Sequence, residues 1–189
     1  MTSSELDQGG KLCQIGAAVI VDGKLHTFCE DIGWTPGCFY WEQRSLDVCG
    51  FDLARVHAGP RADEVDERLA AWLRSFGAKV NKRASTVPVG WNVNGFDMPY
   101  IKAQLPKTHA LLSRRCVDLN AAAYLAQEVA VDGNEVKDHA FWKQQSWEYA
   151  DKQLPGDWAR HNAGVDAAAA LYEQEYFERL FRGSFKTGK

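Results

Sequence analysis

His161 and Asp166 stand five positions apart in the segment HNAGVDA, at the opening of an Ala-rich stretch. A carboxylate in the first turn of a helix is held by a rigid element, whereas an imidazole just ahead of that helix is free to move. That division suits a carboxylate that holds a metal and a base that reaches a water. The same pattern has a plainer use, because acidic residues stabilise helix N-terminal turns through the macrodipole and a histidine before a helix is ordinary. Asp97 is the second case. It lies in VGWNVNGFDMPYI (89–101), where an apolar run gives way to Asn and Gly before a helix-like stretch begins. Ligands gather at the carboxyl ends of strands in open α/β sheets, so a carboxylate here is placed for chemistry. Asp is equally a favoured helix N-cap.

Holding these residues in place takes strands and helices. CQIGAAVIV (13–21) is an apolar run rich in β-branched residues, KLHTFCEDI (24–32) roughly alternates, and Asp22-Gly23 between them is a hairpin signal. Segment 33–60, punctuated by Gly and Pro, reads as loop with a short helix. Val65, Leu69, Trp72, Leu73 and Phe76 fall at helical spacing over 61–76, with Gly77 as a stop. STVPVGWNV (85–93) reads as a buried strand with Pro88 near its beginning. Residues 96–105 read as a helix whose Pro99 sits in the first turn, where a missing N–H costs little. RRCVDL (114–119) reads as a short strand running into the Ala-rich segment 119–130. Residues 131–160 read as irregular and aromatic, around Trp142, Trp147 and Trp158, and 163–182 as a long helix ended by Gly183. This order predicts one domain over 1–189, an α/β fold with a mixed sheet and helices on its faces.

Composition narrows the function classes. Hydrophobic residues at 46% and charged residues at 25% give a globular balance rather than a disordered one. No run approaches the roughly 18 apolar residues of a membrane span, and residues 1–11 lack the apolar core of a secretory signal. Cys13, Cys29, Cys38, Cys49 and Cys116 are scattered, odd in number and without a C-x-x-C pair, which argues against a disulfide framework or zinc site and for reduced thiols in the cytoplasm. A net charge of −3 lowers the expectation of a protein that coats duplex. It is compatible with one that grips a strand end through cations bound at its carboxylates.

Taken together and in order, the segments resemble the DEDDh-type 3′–5′ exonucleases of the ribonuclease H-like superfamily. That family pairs a strand followed by N-x-x-F-D and a helix with a later H-x-x-x-x-D and a long Ala-rich helix, as 89–101 and 161–170 do here. CVDL (116–119) matches the strand end between them, and QIGAAVIVDGKL (14–25) is similar to the family's second strand and hairpin. The likeness covers about residues 14–180. It implies a ribonuclease H-like mixed sheet flanked by helices, and a hydrolase that removes nucleoside 5′-monophosphates from the 3′ ends of single-stranded DNA or RNA. Two divalent cations, Mg²⁺ or Mn²⁺, would be held in part by Asp97 and Asp166, with His161 taking a proton from the attacking water. Asn94 and Phe96 would support the site, although Phe96 also suits a core. Trp34 and Tyr40 are candidates to stack on a base or simply to fill a loop. Arg114, Arg115, Lys102 and Lys107 are candidates for phosphates or a solvated face. Asp118 fits the site's edge or a helix cap. A homodimer or a polymerase is a compatible partner, and a membrane is not.

The family's first motif, D-x-E, is not matched. The chain begins Met1-Thr2-Ser3-Ser4-Glu5-Leu6, which resembles the residues that follow D-x-E in oligoribonuclease-like members. The expectation is a reading frame that starts further upstream, with a central strand carrying D-x-E; Glu5 as a stand-in is the lesser alternative. A catalytically inactive nucleic-acid- or partner-binding module of the same fold is the alternative function.

Overall fold

Asp22 and Gly23 both take positive φ, 51° and 72°, the geometry of a two-residue turn whose twist matches the strands it joins. Strands β1 (Gln14–Val21) and β2 (Lys24–Asp31) pair antiparallel around it in full register, from Val21 opposite Lys24 to Gln14 opposite Asp31. The computed structural model describes residues 10–37, 47, 50–80, 86–132, 135–156, 158 and 162–184.

Helix α1 (Leu53–Ala58) follows, capped by Asp52, whose carboxylate accepts the Arg55 N–H at 2.7 Å. Helix α2 (Ala62–Ser75) buries Val65, Leu69 and Leu73, the expected face. Its half-buried Trp72 and Phe76 lie against Phe28 and His26 of β2. Gly77, at φ 89°, ends it by donating its N–H to the Arg74 carbonyl, as a C-terminal glycine does.

The strand expected over 85–93 is shorter. Within its described part, residues 86–93, β3 (Val89–Gly90) forms and pairs in parallel with β4 (Val117–Asp118), while Thr86 makes an isolated bridge to Leu112. Pro88 explains the interruption. It has no N–H to give a ladder, and its carbonyl accepts the Val117 N–H at 2.9 Å. The chain then turns through 91–96 into α3 (Asp97–Gln104) and the short α4 (Pro106–His109), which the spacing did not show. Buried Asp66 of α2 fixes that turn, its two carboxylate oxygens accepting the Lys107 and Thr108 N–H groups at 2.9 and 2.7 Å.

Helix α5 (Leu119–Val129) and the small antiparallel pair β5 (Val131–Asp132) and β6 (Glu135–Val136) lead to α6 (His139–Gln153). The segment expected to be irregular is therefore largely helical. Its aromatic residues lie on several faces rather than one stripe, which hid the helical period. The legible signal was Asp138, which caps α6 by accepting the Phe141 N–H at 2.9 Å. Helix α7 (Ala163–Ser184) runs past Gly183, so this glycine lies in the last turn and does not end the helix.

The architecture is mixed α/β. The described strands form three separate two-stranded ladders, not one continuous sheet. Helix α7 packs on both β1 and β3 and so spans the hairpin and the parallel pair. One core gathers Ile32, Leu69, Leu105 and Leu111 among its buried residues; another gathers Leu119, Ala126, Trp142 and Phe177. Among the described residues no helix is long and apolar enough to cross a membrane, and Cys13, Cys29 and Cys116 are not joined in disulfides.

Candidate functional site

Asp166 lies in the first turn of α7, and that turn is tied down from three sides. Asn162 caps the helix, its Oδ1 accepting the Gly164 and Val165 N–H groups at 3.0 and 3.3 Å. Cys29 of β2 donates its thiol to the same oxygen at 3.3 Å. From β1, Gln14 accepts the Ala163 N–H at 2.7 Å and donates its amide to Asp31 at 2.8 Å. Asp31 is held by Arg55 through two hydrogen bonds of 2.7 and 2.9 Å. Burial raises the Asp31 pKa, but the bonds from Arg55 and Gln14 outweigh it and leave the carboxyl below its ordinary value. The strand can approach so closely because residue 16 is glycine; a Cβ there would lie 2.0 Å from the Ala163 carbonyl. The exposed Asp166 carboxylate therefore projects from a fixed helix end.

Asp97 is the first residue of α3, just after the turn that leaves β3. The capping position belongs to Phe96, which makes no side-chain cap, so Asp97 is not the N-cap. Its carboxyl is pushed up to about 6, first by burial and further by the charge of Asp118, against the pull of its own backbone N–H. Asp118 stands at the end of β4, opposite Gly90 of β3. Its Oδ1 accepts two N–H groups at 3.0 Å, from Asn120 as the cap of α5 and from Asn92 in the turn that precedes Asp97. Asp118 thus ends β4, while Asp97 opens the helix that follows the turn out of its partner β3. From sequence Asp118 fitted the site's edge or a helix cap; it is the cap of α5, and its charge acting on Asp97 was not visible there, because the pairing of β4 with β3 brings the two segments side by side.

The same turn is anchored on α7. Trp91 donates its indole N–H to Glu173, a buried carboxylate two helical turns beyond Asp166. Glu173 interrupts the apolar stripe of Ala169, Ala170 and Phe177, which is the signal that could have singled it out.

The remaining candidates are placed as follows. Asn94 is exposed in the turn, and Phe96 is half-buried with its ring 5.5 Å from Tyr100. Trp34 is half-buried, packs against the Ile32 core and against Phe51 and Val56, donates its N–H to the Leu12 carbonyl at 2.7 Å and lies under the Lys11 ammonium. Lys107 is paired with Glu67, while Lys102, Arg114 and Arg115 are exposed. His161 and Tyr40 lie outside the described residues.

Hard carboxylate oxygens suit Mg²⁺ or Mn²⁺, and a cation beside Asp97 would relieve its repulsion with Asp118. Among the described residues, however, no three of His, Cys, Asp and Glu converge as a metal-holding group. Asp97, Asp118 and Asp166 therefore do not by themselves make a closed cage. No family model matches the chain, and no curated protein matches it either.

Proposed function

We propose that the protein is a metal-dependent 3′–5′ exonuclease with a ribonuclease H-like fold, hydrolysing phosphodiester bonds at single-stranded DNA or RNA ends to release nucleoside 5′-monophosphates. The observation that carries this reading is Asp97, a desolvated carboxylate opening α3 from the carboxyl end of parallel β3, with Asp118 beside it on β4. The ordered match of segments 14–25, 89–101, 116–119 and 161–170 to the DEDDh pattern supports it.

Asp97 and Asp166 would hold the divalent cations, each from the first turn of a helix, and the cations would supply charge stabilisation for the attacking and leaving oxygens. The Gln14–Ala163 and Cys29–Asn162 bonds hold the end of α7, and with it the backbone of Asp166, against the hairpin. Asp118 fixes the Asn92 turn and with it the approach to Asp97. His161, one residue before the Asn162 cap, is the general base.

The second reading is a nucleic-acid- or partner-binding module of the same fold without catalysis. It is favoured by Asp118, whose Oδ1 is taken up by the Asn92 and Asn120 N–H groups and so serves the turn and the helix cap. One assay separates the two: digestion of 3′- and 5′-labelled single strands, DNA and RNA, with Mg²⁺ or Mn²⁺. Metal-dependent shortening from the 3′ end supports the enzyme, and intact strands with the folded protein and metal present support the module.

A further inference from the structure

A chain of short contacts leads from the carboxylates to an exposed set of rings. Asp118 caps α5 at Asn120, and the Asn120 side-chain oxygen meets His139 Nε2 at 2.9 Å. Tyr124 stacks on the His139 ring, with centroids 4.1 Å apart and 28° between the planes. Trp91, next to Asn92, stands edge-on to His139 at 6.5 Å and to Trp147 at 6.4 Å. The Lys143 ammonium lies 4.8 Å from the centroid of the Trp91 ring and 4.9 Å from that of Trp147.

These outer rings are not needed to close the core. Helix α5 buries Leu119, Ala123 and Ala126, and α6 buries Trp142, Ser146 and Ala150. Tyr124 and Trp147 project from other faces of those helices and stay 55% and 40% exposed. Large aromatic surface left open beside a lysine held over two rings matches one ligand chemistry: flat π systems linked by anions.

We infer that Tyr124, His139, Trp147 and Lys143 form a stacking platform for the bases of a single-stranded nucleic acid, with Lys143 meeting the backbone phosphate between them. The bases stack on the exposed faces of Tyr124 and Trp147, which tolerate any base because each presents a π face. The strand's end then reaches the Asn92 turn and Asp97. That last placement rests on the exonuclease reading; the platform itself does not.

The test is binding of a 5′-fluorescein-labelled oligothymidylate of roughly 12 nucleotides, within the usual range of single-strand site sizes, followed by anisotropy in EDTA at low salt. Trp147→Ala and Tyr124→Ala are compared with the wild-type chain, and an abasic strand of equal length with the thymidylate. Both side chains lie outside the buried cores, so the variants should still fold, checked by a cooperative melt. The expected result is binding by the wild type, about tenfold or greater weakening in Trp147→Ala, several-fold in Tyr124→Ala, and weak binding of the abasic strand. Lys143→Gln should flatten the dependence of affinity on salt. No wild-type binding, equal affinities across the variants, or an abasic strand bound as well as thymidylate would each overturn the platform. Adding Mn²⁺ to the same mixtures separates the two ideas. Ring-dependent binding without 3′ shortening would sink the exonuclease reading and leave the platform standing.

Discussion

The side chain of Gln14 accepts the backbone N–H of Ala163 across 149 positions of sequence, at 2.7 Å. Through its other amide atom Gln14 also holds Asp31, which Arg55 grips in turn. One strand residue thereby connects an ion pair on the hairpin to the end of the helix that presents Asp166.

Gln14→Leu strands the Ala163 N–H and removes one of the two hydrogen bonds at Asp31 Oδ1, the other coming from Arg55. The expected loss is about 1–3 kcal/mol of stability, read as a lower urea midpoint with an unchanged slope. A midpoint equal to that of the wild type would mean that the bond contributes nothing in solution.

Gly16→Ala places a methyl group 2.0 Å from the Ala163 carbonyl carbon and oxygen, which are backbone atoms with no rotamer to change. The hairpin and α7 must separate, at a cost of roughly 3 kcal/mol or more. Thermal melts of purified Gly16→Ala should show a large drop or no cooperative transition; a wild-type melt would contradict the close approach.

The pH dependence of stability carries the signature of Asp97. Its carboxyl is raised from 3.8 to about 6, by burial first and then by Asp118. Between these values the folded protein keeps a proton that the unfolded chain has released, so stability falls as pH rises through this window. Asp97→Asn cannot ionise, so its stability relative to the wild type should grow over that interval by on the order of 1–3 kcal/mol. Urea titrations near pH 4 and near pH 7 measure it. If the difference is the same at both, the carboxyl is not perturbed.

His161→Ala should slow phosphodiester cleavage by about 10²–10⁴, the usual weight of a general base, and leave single-strand binding unchanged. The check is single-turnover kinetics at saturating protein. Cleavage at the wild-type rate would remove the base role from His161.

Local signals made much of the fold legible. Asp22-Gly23 marked the hairpin, Gly77 the end of α2, and Val65, Leu69 and Leu73 its buried face. Pro88 marked a break that a reading of strand length alone passed over. Helix α6 escaped because Phe141, Trp142, Trp147 and Tyr149 do not share a face, and the Asp138 cap was the cue. Within the site, Asp97 and Asp166 were legible as carboxylates at helix starts. The Asp97–Asp118 coupling and the Trp91–Glu173 bond were not, because they depend on parallel pairing and on contacts across the chain that no local spacing encodes.

The most direct measurement of the central claim is the fate of a 5′-labelled single strand incubated with Mn²⁺ and the protein, beside the same protein carrying Asp166→Asn. The account predicts a ladder shortening stepwise from the 3′ end, abolished by EDTA and lost in the variant, which keeps its fold because Asn matches Asp in volume. An intact strand with the folded wild type and metal present, or an Asp166→Asn variant that cleaves as fast as wild type, would contradict it.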